Sequence, residues 1–142
     1  MDPSKLIRVA RKAMERAHAP YSNYRVGVVL LCADGTVFKG CNIENASYGL
    51  TNCAERTALF SAVAAGKREF QAMAIVASGE PAPYPCGACR QVLAEFCPPD
   101  FLIHVATSPE SHETLSLGEL LPHGFSLPQK PRRITDGSER SW

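Results

Sequence analysis

This sequence alternates short apolar runs with amphipathic segments of helical length, which limits the fold to layers of helices on a sheet. Runs rich in apolar and β-branched residues predict strands over residues 26–32, 36–43, 72–78 and 101–107. Apolar residues at helical spacing predict helices over residues 3–17, 53–66 and 86–96. A short strand near 114–116 and a short helix near 117–121 complete the pattern.

Signals at the ends of the predicted helices indicate where they begin and end. Asp2 followed by Pro3 is typical of an N-cap and a first helical residue, and Pro20 stops the first helix. Asn52 precedes Glu55 by three residues, which is the spacing of a capping box. We therefore expect the second helix to begin near Cys53, with Asn52 as its cap.

The order of these elements predicts an α/β fold, a single mixed five-stranded sheet with helices on both faces. Helices connect the central strands, and right-handed crossovers of this kind make the connected strands parallel. Residues 108–112 are too few for a crossover helix, so the fifth strand must run antiparallel to the fourth. We expect one domain over residues 1–127 and a mobile tail over the polar residues 128–142.

Charge and composition exclude several classes of protein. The chain has 15 basic and 14 acidic residues, so it lacks the broad basic field that a nucleic-acid partner needs. No apolar run approaches the roughly 18 residues of a membrane span, so no membrane partner is expected. The chain begins without a visible secretory signal, and its six cysteines are too few for a disulfide scaffold. These features predict reduced thiols and a cytoplasmic protein.

The residues that carry chemistry stand at two predicted helix starts. Cys53 and Glu55 occupy one start, and Cys86 and Cys89 occupy the other within the run Pro-Cys-Gly-Ala-Cys. Helix N-termini favour thiolates, and three thiolates can bind zinc and leave its fourth position open. A carboxylate two residues from one ligand is placed to hold a water molecule and move its protons.

The Cys-x-x-Cys pair taken alone also fits a redox dithiol or half of a structural zinc site. A closed structural site needs a fourth ligand, and Cys97 lies about 16 Å from Cys86 along one continuous helix. A redox dithiol gives no reason for Cys53 and Glu55 to occupy a second helix start. A zinc module without catalysis gives no reason for a carboxylate beside an open coordination position.

These motifs, with Arg56 after Glu55 and Arg90-Gln91 after Cys89, resemble the zinc-dependent cytidine deaminases of the small homotetrameric type. The resemblance covers about residues 5–125 and includes four separated blocks, 19–22, 40–45, 53–58 and 119–122. It implies a hydrolase with one zinc per subunit and a cytidine deaminase-like fold. The implied reaction converts cytidine and 2′-deoxycytidine to uridine and 2′-deoxyuridine with release of ammonia, in pyrimidine salvage.

The resemblance also implies a role for individual residues in the reaction centre. Cys53, Cys86 and Cys89 would bind zinc, and Glu55 would carry protons from water to N3 of the base and to the departing amine. Three thiolates leave the zinc site with a formal charge of −1, so a nearby cation is needed. Arg56 would compensate this charge by donating to sulfur, the alternative being a surface arginine paired with a carboxylate.

A second implied group of residues would bind the nucleoside. Asn42 and Glu44 would hold the ribose hydroxyls, chiefly at the 3′ position, and the backbone around Ala54 would meet the pyrimidine edge. Tyr24 stands where the family usually has a stacking phenylalanine. The remaining two matches are residues that a neighbouring subunit lends to the site, Tyr48 and Phe125. The expected assembly is therefore a homotetramer with active sites shared between subunits.

Two related activities are alternatives to this interpretation. A zinc deaminase acting on a nucleoside antibiotic would not need the pair Asn42 and Glu44. A deaminase acting on cytosine or adenine in a polynucleotide would need a basic track for the strand, which the near-zero net charge does not supply. The sequence thus favours a free small-molecule nucleoside as substrate.

Overall fold

A computed structural model of the chain describes residues 1–129, and residues 130–142, most of the predicted tail, lie outside the described residues. Nine α-helices and β-strands of the described part follow one another in the predicted order: α1 Pro3–Met14, β1 Val26–Cys32, β2 Val37–Cys41, α2 Ala54–Ala64, β3 Phe70–Ala77, α3 Gly87–Phe96, β4 Leu102–Ala106, β5 His112–Ser116 and α4 Leu117–Leu120. A 3-10 helix over Tyr48–Leu50, which was not predicted, lies between β2 and α2. Within residues 1–129, no helix combines the length and apolar character needed to cross a membrane.

The first two helices, α1 and α2, differ in how their N-termini are capped. Asp2 caps α1, since its Oδ1 accepts the backbone N–H of Ser4 at 2.7 Å, and Pro3 is the first helical residue. The predicted capping by Asn52 is wrong. Cys53 is the N-cap of α2, so Asn52 lies one residue outside the helix, and its Nδ2 donates to Thr57 Oγ1 at 3.0 Å.

The five strands form one mixed sheet in the order β2-β1-β3-β4-β5. The strands that helices connect run parallel, as predicted, and β3 pairs directly with β4. The prediction did not place β1, which forms a hairpin with β2 and lies between β2 and β3, antiparallel to both. After the hairpin, β1 has one free edge, and the connection through α2 passes over β1 to place β3 there. β3 therefore runs parallel to β2 with β1 between them. β5 pairs antiparallel with β4, as predicted.

Helices cover both faces of this sheet, as predicted. Alternate residues of a strand point to opposite faces, so β1 contributes to two apolar layers. One layer packs against α1 and includes Leu6, Ile7, Ala10, Val29, Leu31, Ala74 and Val76. The other packs against α2, α3 and α4 and includes Val28, Leu30, Leu59, Met73, Ile75, Leu93, Ile103 and Leu117.

Two buried glycines let the helices approach the hairpin closely. A Cβ at Gly27 would lie 2.1 Å from the carbonyl oxygen of Ala10 in α1. A Cβ at Gly40 would lie 2.4 Å from the carbonyl oxygen of Ala54 and 2.5 Å from the backbone nitrogen of Ala58 in α2. Real side chains essentially never approach so closely, so Gly40 sets the distance between β2 and the first turn of α2.

Candidate active site

Three cysteine side chains meet where α2 and α3 begin. Cys53 is the N-cap of α2, Cys86 is the N-cap of α3, and Cys89 lies in the first turn of α3. The Sγ atoms of Cys53 and Cys86 are 3.8 Å apart, and those of Cys86 and Cys89 are 3.5 Å apart. Neither N-cap thiol forms a capping bond with the backbone of its own helix, and both sulfur atoms lie in the cluster.

The spacing of these sulfur atoms fits one tetrahedral zinc ion. Zn–S bonds of about 2.3 Å at tetrahedral angles hold two sulfurs about 3.8 Å apart. All three Sγ atoms lie within 4.8 Å of one another, and none of the three cysteines forms a disulfide. Cys89 is buried and Cys86 is exposed, so the cluster opens to solvent on one side. Such a donor set can hold zinc with a position left for water.

Glu55 lies beside this cluster in the first turn of α2. Its side chain is only 6% exposed, and burial raises the pKa of its carboxyl group to about 7. The pKa of the Tyr24 phenol is raised, first by burial and then by the negative charge of Glu55. The Glu55 carboxylate and the Tyr24 ring are therefore close enough to interact electrostatically. A carboxyl group with a pKa near neutrality can both accept and release a proton at neutral pH.

Arg56 donates to a sulfur atom of the cluster rather than to a carboxylate. Its Nη2 lies 3.2 Å from Cys53 Sγ, and among residues 1–129 no carboxylate lies within ion-pair distance of it. Hydrogen bonds from Cys89 and then from Arg56 lower the pKa of the Cys53 thiol to about 5 despite its partial burial. The buried Nε of Arg56 has no partner in the described part of the chain.

Asn42 and Glu44, the predicted ribose pair, follow β2 and bond to residues 21–26, which lead into β1. Asn42 is buried, where its Nδ2 donates to the Tyr24 carbonyl at 2.7 Å and its Oδ1 accepts the Val26 N–H at 2.8 Å. Glu44 accepts the backbone N–H groups of residues 21 and 22 at 2.9 and 3.1 Å. It also accepts the hydroxyl proton of Ser22, so its carboxylate orientation is fixed.

The three aromatic residues predicted to bind substrate lie in different surroundings. Tyr24 is half-buried, and its hydroxyl donates to the carbonyl of Pro81 in the loop between β3 and α3. Tyr48 is 74% exposed and stacks edge to face on Tyr21, with ring centroids 6.1 Å apart. Phe125 is 68% exposed and lines a cavity beside the C-terminal half of α3. A single chain therefore keeps Phe125 near the end of α3 opposite to the thiols.

Sequence reasoning missed the residues that hold Glu44. A cavity of about 410 Å³ beside this carboxylate is lined by Tyr21, Ser22, Glu44, Tyr48 and Thr51. Residues 19–22 were one of the blocks of the resemblance, which was the available signal. Their contact with Glu44 joins positions 22 and 23 residues apart, and no local pattern predicts such a contact.

Comparisons with known proteins agree with this arrangement. Residues 1–105 match the family model described as the cytidine and deoxycytidylate deaminase zinc-binding region. The cytidine deaminase of Sporosarcina psychrophila is 50% identical over 126 residues, which is 89% of this chain and 93% of that protein. The cytidine deaminase of Halalkalibacterium halodurans is also 50% identical, over 89% of this chain and 96% of its own length.

Solved structures show the same fold. The crystal structure of cytidine deaminase from Burkholderia pseudomallei is similar with a TM-score of 0.84 and 51% identity, covering 88% of this chain and all of that one (100%). The crystal structure of cytidine deaminase from Mycobacterium tuberculosis is similar with a TM-score of 0.77 and 39% identity, covering 89% and 99% of the two chains.

Proposed function

We propose which residues of this chain, a zinc-dependent member of the cytidine and deoxycytidylate deaminase family, act in each step of cytidine deamination. The reaction converts cytidine and 2′-deoxycytidine to uridine and 2′-deoxyuridine. The observation that carries this proposal is the buried Glu55 beside three clustered thiols. In the net reaction water adds at C4 of the base, the bond from C4 to the exocyclic nitrogen breaks, and ammonia leaves.

Cys53, Cys86 and Cys89 hold the zinc ion, which when bound supplies a Lewis acid that lowers the pKa of a water molecule. The N-termini of α2 and α3 stabilise the thiolates, because their partial positive charges point at the sulfur atoms. Arg56 adds a full positive charge through its bond to Cys53. Together these groups offset the excess negative charge of three thiolates.

Glu55 performs the proton transfers. As a base it accepts a proton from the attacking water and delivers it to N3 of the ring, and it then carries the second proton of that water to the departing amine, which leaves as ammonia. The burial that raises the pKa of this carboxyl group to about 7 supports both roles, because neither protonation state is strongly favoured near neutral pH. Burial also keeps bulk water away from the proton being transferred.

Asn42 and Glu44 hold the ribose, chiefly through its 3′ hydroxyl. Asn42 uses one of its two amide N–H donors on the Tyr24 carbonyl, which leaves the second for a ligand. Glu44 has a lone pair free after accepting three protein donors. One hydroxyl can therefore donate to Glu44 and accept from Asn42. The first backbone N–H groups of α2, from Ala54 onward, meet the pyrimidine edge, since helix starts leave such donors free.

The active sites are shared between the subunits of a homotetramer. Tyr24 stacks on the base from within the chain, and its half-buried ring near Glu55 supports this role. Tyr48 and Phe125 come from neighbouring subunits. Their exposure supports this assignment, because a contiguous exposed apolar surface is typical of interfaces and Tyr48 packs on the exposed ring of Tyr21. The site acts in pyrimidine salvage in the cytoplasm, a reducing compartment in which its thiols remain free to bind zinc.

Replacement of Glu55 by glutamine tests the proposed division of roles. Glu55→Gln keeps the shape of the side chain and removes its ability to exchange protons. We expect zinc content to be retained while kcat falls by about 10²–10⁴-fold. Retained zinc with turnover within about tenfold of the parent would remove Glu55 from its role.

The substrate class is tested by the change in ultraviolet absorbance on mixing the enzyme with four compounds. Cytidine and 2′-deoxycytidine should be converted. Adenosine should not be converted, because the relatives of this chain are cytidine deaminases. A cytosine-containing oligonucleotide should not be converted, because a net charge of only +1 does not supply the basic track that a strand needs. Conversion of the oligonucleotide at a comparable rate would contradict the assignment to free nucleosides.

A further inference from the structure

One short segment, residues 21–22, supplies every protein donor that reaches Glu44 in the described part of the chain. The backbone N–H of Tyr21 donates to Oε1 at 2.9 Å, and the backbone N–H of Ser22 donates to the same oxygen at 3.1 Å. The Ser22 hydroxyl donates to the other oxygen, Oε2. The two carboxylate oxygens are therefore held in different ways.

A count of lone pairs locates the acceptor position that a ligand can use. Each carboxylate oxygen offers about two acceptor directions. Both directions of Oε1 are occupied by backbone N–H groups, whereas Oε2 accepts only the hydroxyl of Ser22. The free position on Glu44 is thus on Oε2. A ribose hydroxyl that binds Glu44 must share this oxygen with Ser22.

We propose that Ser22 is a positioning residue for ribose recognition, whose hydroxyl holds Oε2 of Glu44 in the orientation that accepts the 3′ hydroxyl of the nucleoside. This inference rests on the proposed contact between Glu44 and the ribose. It assigns a specificity role to a side chain that itself need not touch the substrate.

The surroundings of Ser22 fix the direction of its hydroxyl proton. Ser22 Oγ accepts the backbone N–H of Tyr24 at 3.0 Å, so its own proton is directed to Glu44. The Tyr24 carbonyl in turn accepts from Asn42 Nδ2 at 2.7 Å. The backbone of Tyr24 therefore contacts both proposed ribose residues, Asn42 directly and Glu44 through the Ser22 hydroxyl.

Charge and space at this place agree with a sugar ligand. The Ser22 hydroxyl is the largest cause that holds the pKa of Glu44 below its ordinary value, so the carboxylate stays ionised and accepts only. The carboxylate lines the cavity of about 410 Å³ together with the ring of Tyr21. An ionised acceptor beside an aromatic ring suits a sugar, which has apolar faces and hydroxyl donors.

The test compares Ser22→Ala with the parent on cytidine and on 3′-deoxycytidine, which lacks the hydroxyl in question. Ser22→Ala should raise KM for cytidine about tenfold with kcat nearly unchanged. Without the Ser22 hydroxyl, the Glu44 carboxylate is no longer oriented to accept the charge-assisted hydrogen bond from the 3′ hydroxyl. The variant and the parent should have the same KM for 3′-deoxycytidine. Ser22→Thr keeps the hydroxyl and should restore the KM for cytidine.

Ser78→Ala is the matched control. The Ser78 hydroxyl accepts the backbone N–H of Arg25 at 2.9 Å, so this variant also removes one serine bond to the chain before β1, without any contact to Glu44. For Ser78→Ala, the ratio of KM for cytidine to KM for 3′-deoxycytidine should match that of the parent. Zinc content and circular dichroism verify that each variant is folded.

The outcomes separate this inference from its premise. If Ser22→Ala raises KM equally for both nucleosides, Ser22 only supports the local fold and the inference is overturned. Glu44→Gln measured on the same pair tests the premise. If Glu44→Gln discriminates between the nucleosides and Ser22→Ala does not, only the role of Ser22 fails. If Glu44→Gln does not discriminate, the proposed ribose contact fails and the role of Ser22 fails with it.

Discussion

Replacing Arg56 by glutamine removes the cation that donates to the Cys53 sulfur. The guanidinium Nη2 lies 3.2 Å from that sulfur, and no carboxylate among residues 1–129 competes for it. A hydrogen bond to a charged group contributes about 1.5–3 kcal/mol. Loss of about 2 kcal/mol corresponds to about 30-fold weaker zinc binding, within the roughly 10–100-fold that loss of a ligand's hydrogen-bond partner costs. Deamination should fall with it.

A second substitution separates charge from packing. Cys53→His replaces a thiolate by a neutral ligand and raises the formal charge of the site by one. This replaces the one positive charge that is lost with Arg56. Added to Arg56→Gln, it should restore part of the activity. Zinc affinity is measured by competition with a chromophoric chelator, and deamination by ultraviolet absorbance, for the parent, both single variants and the double variant.

An arginine at the other end of α2 provides the control. Arg68 follows the helix and donates to the carbonyls of Val63 and Lys67 at 2.9 and 2.8 Å, so Arg68→Gln removes a guanidinium without changing the charge at the thiols. Its zinc affinity should equal that of the parent. If the double variant at full zinc occupancy is no better than Arg56→Gln alone, compensation of charge is the wrong account. Arg56 would then have a packing or interface role.

Three further perturbations test the assembly, the packing and the pH dependence. Phe125→Ala should raise KM, and mixing it with inactive Glu55→Gln subunits should recover affinity at hybrid sites; an unchanged KM in the mixture would contradict sharing between subunits. Gly40→Ala and Gly27→Ala should each lower the free energy of unfolding by about 1–3 kcal/mol through overpacking. Only Gly40→Ala should also weaken zinc binding, because its clash lies at the start of α2. Burial lowers the pKa of His104 from its ordinary value of 6.5, so the folded state favours the neutral ring and its contribution to stability is lost as pH falls through and below that value. His104→Asn should flatten the decline of the denaturation midpoint below about pH 6.5, and an unchanged decline would assign it to other groups.

Local signals in the sequence were sufficient for the elements and for the thiol cluster. Hydrophobic periodicity located α1, α2 and α3, and the two Cys-bearing helix starts indicated three ligands that the fold does bring together. The N-cap of α2 was misplaced by one residue. The spacing of Asn52 and Glu55 matched a capping box, but Cys53 occupies the N-cap position.

Contacts between distant segments could not be predicted in the same way. The antiparallel pairing of β1 with β3 depends on which edge of the hairpin remains free, and no residue pattern within either strand encodes that choice. The bonds from Ser22 to Glu44 also depend on the path of the chain around the end of the sheet. Such features follow from the assembled topology rather than from local propensity.

The N-cap positions of Cys53 and Cys86 have a consequence for how the enzyme matures. The two helices belong to successive connections of the sheet, and 33 residues separate the two thiols. An unfolded chain must close that loop to bring them together, at an entropic cost that the native sheet has already met. Zinc therefore binds the folded chain in preference to the unfolded chain, and this preference couples metal uptake to folding. A chelator that removes the ion should lower the temperature at which the whole domain unfolds, so metal supply becomes a determinant of how long the enzyme survives.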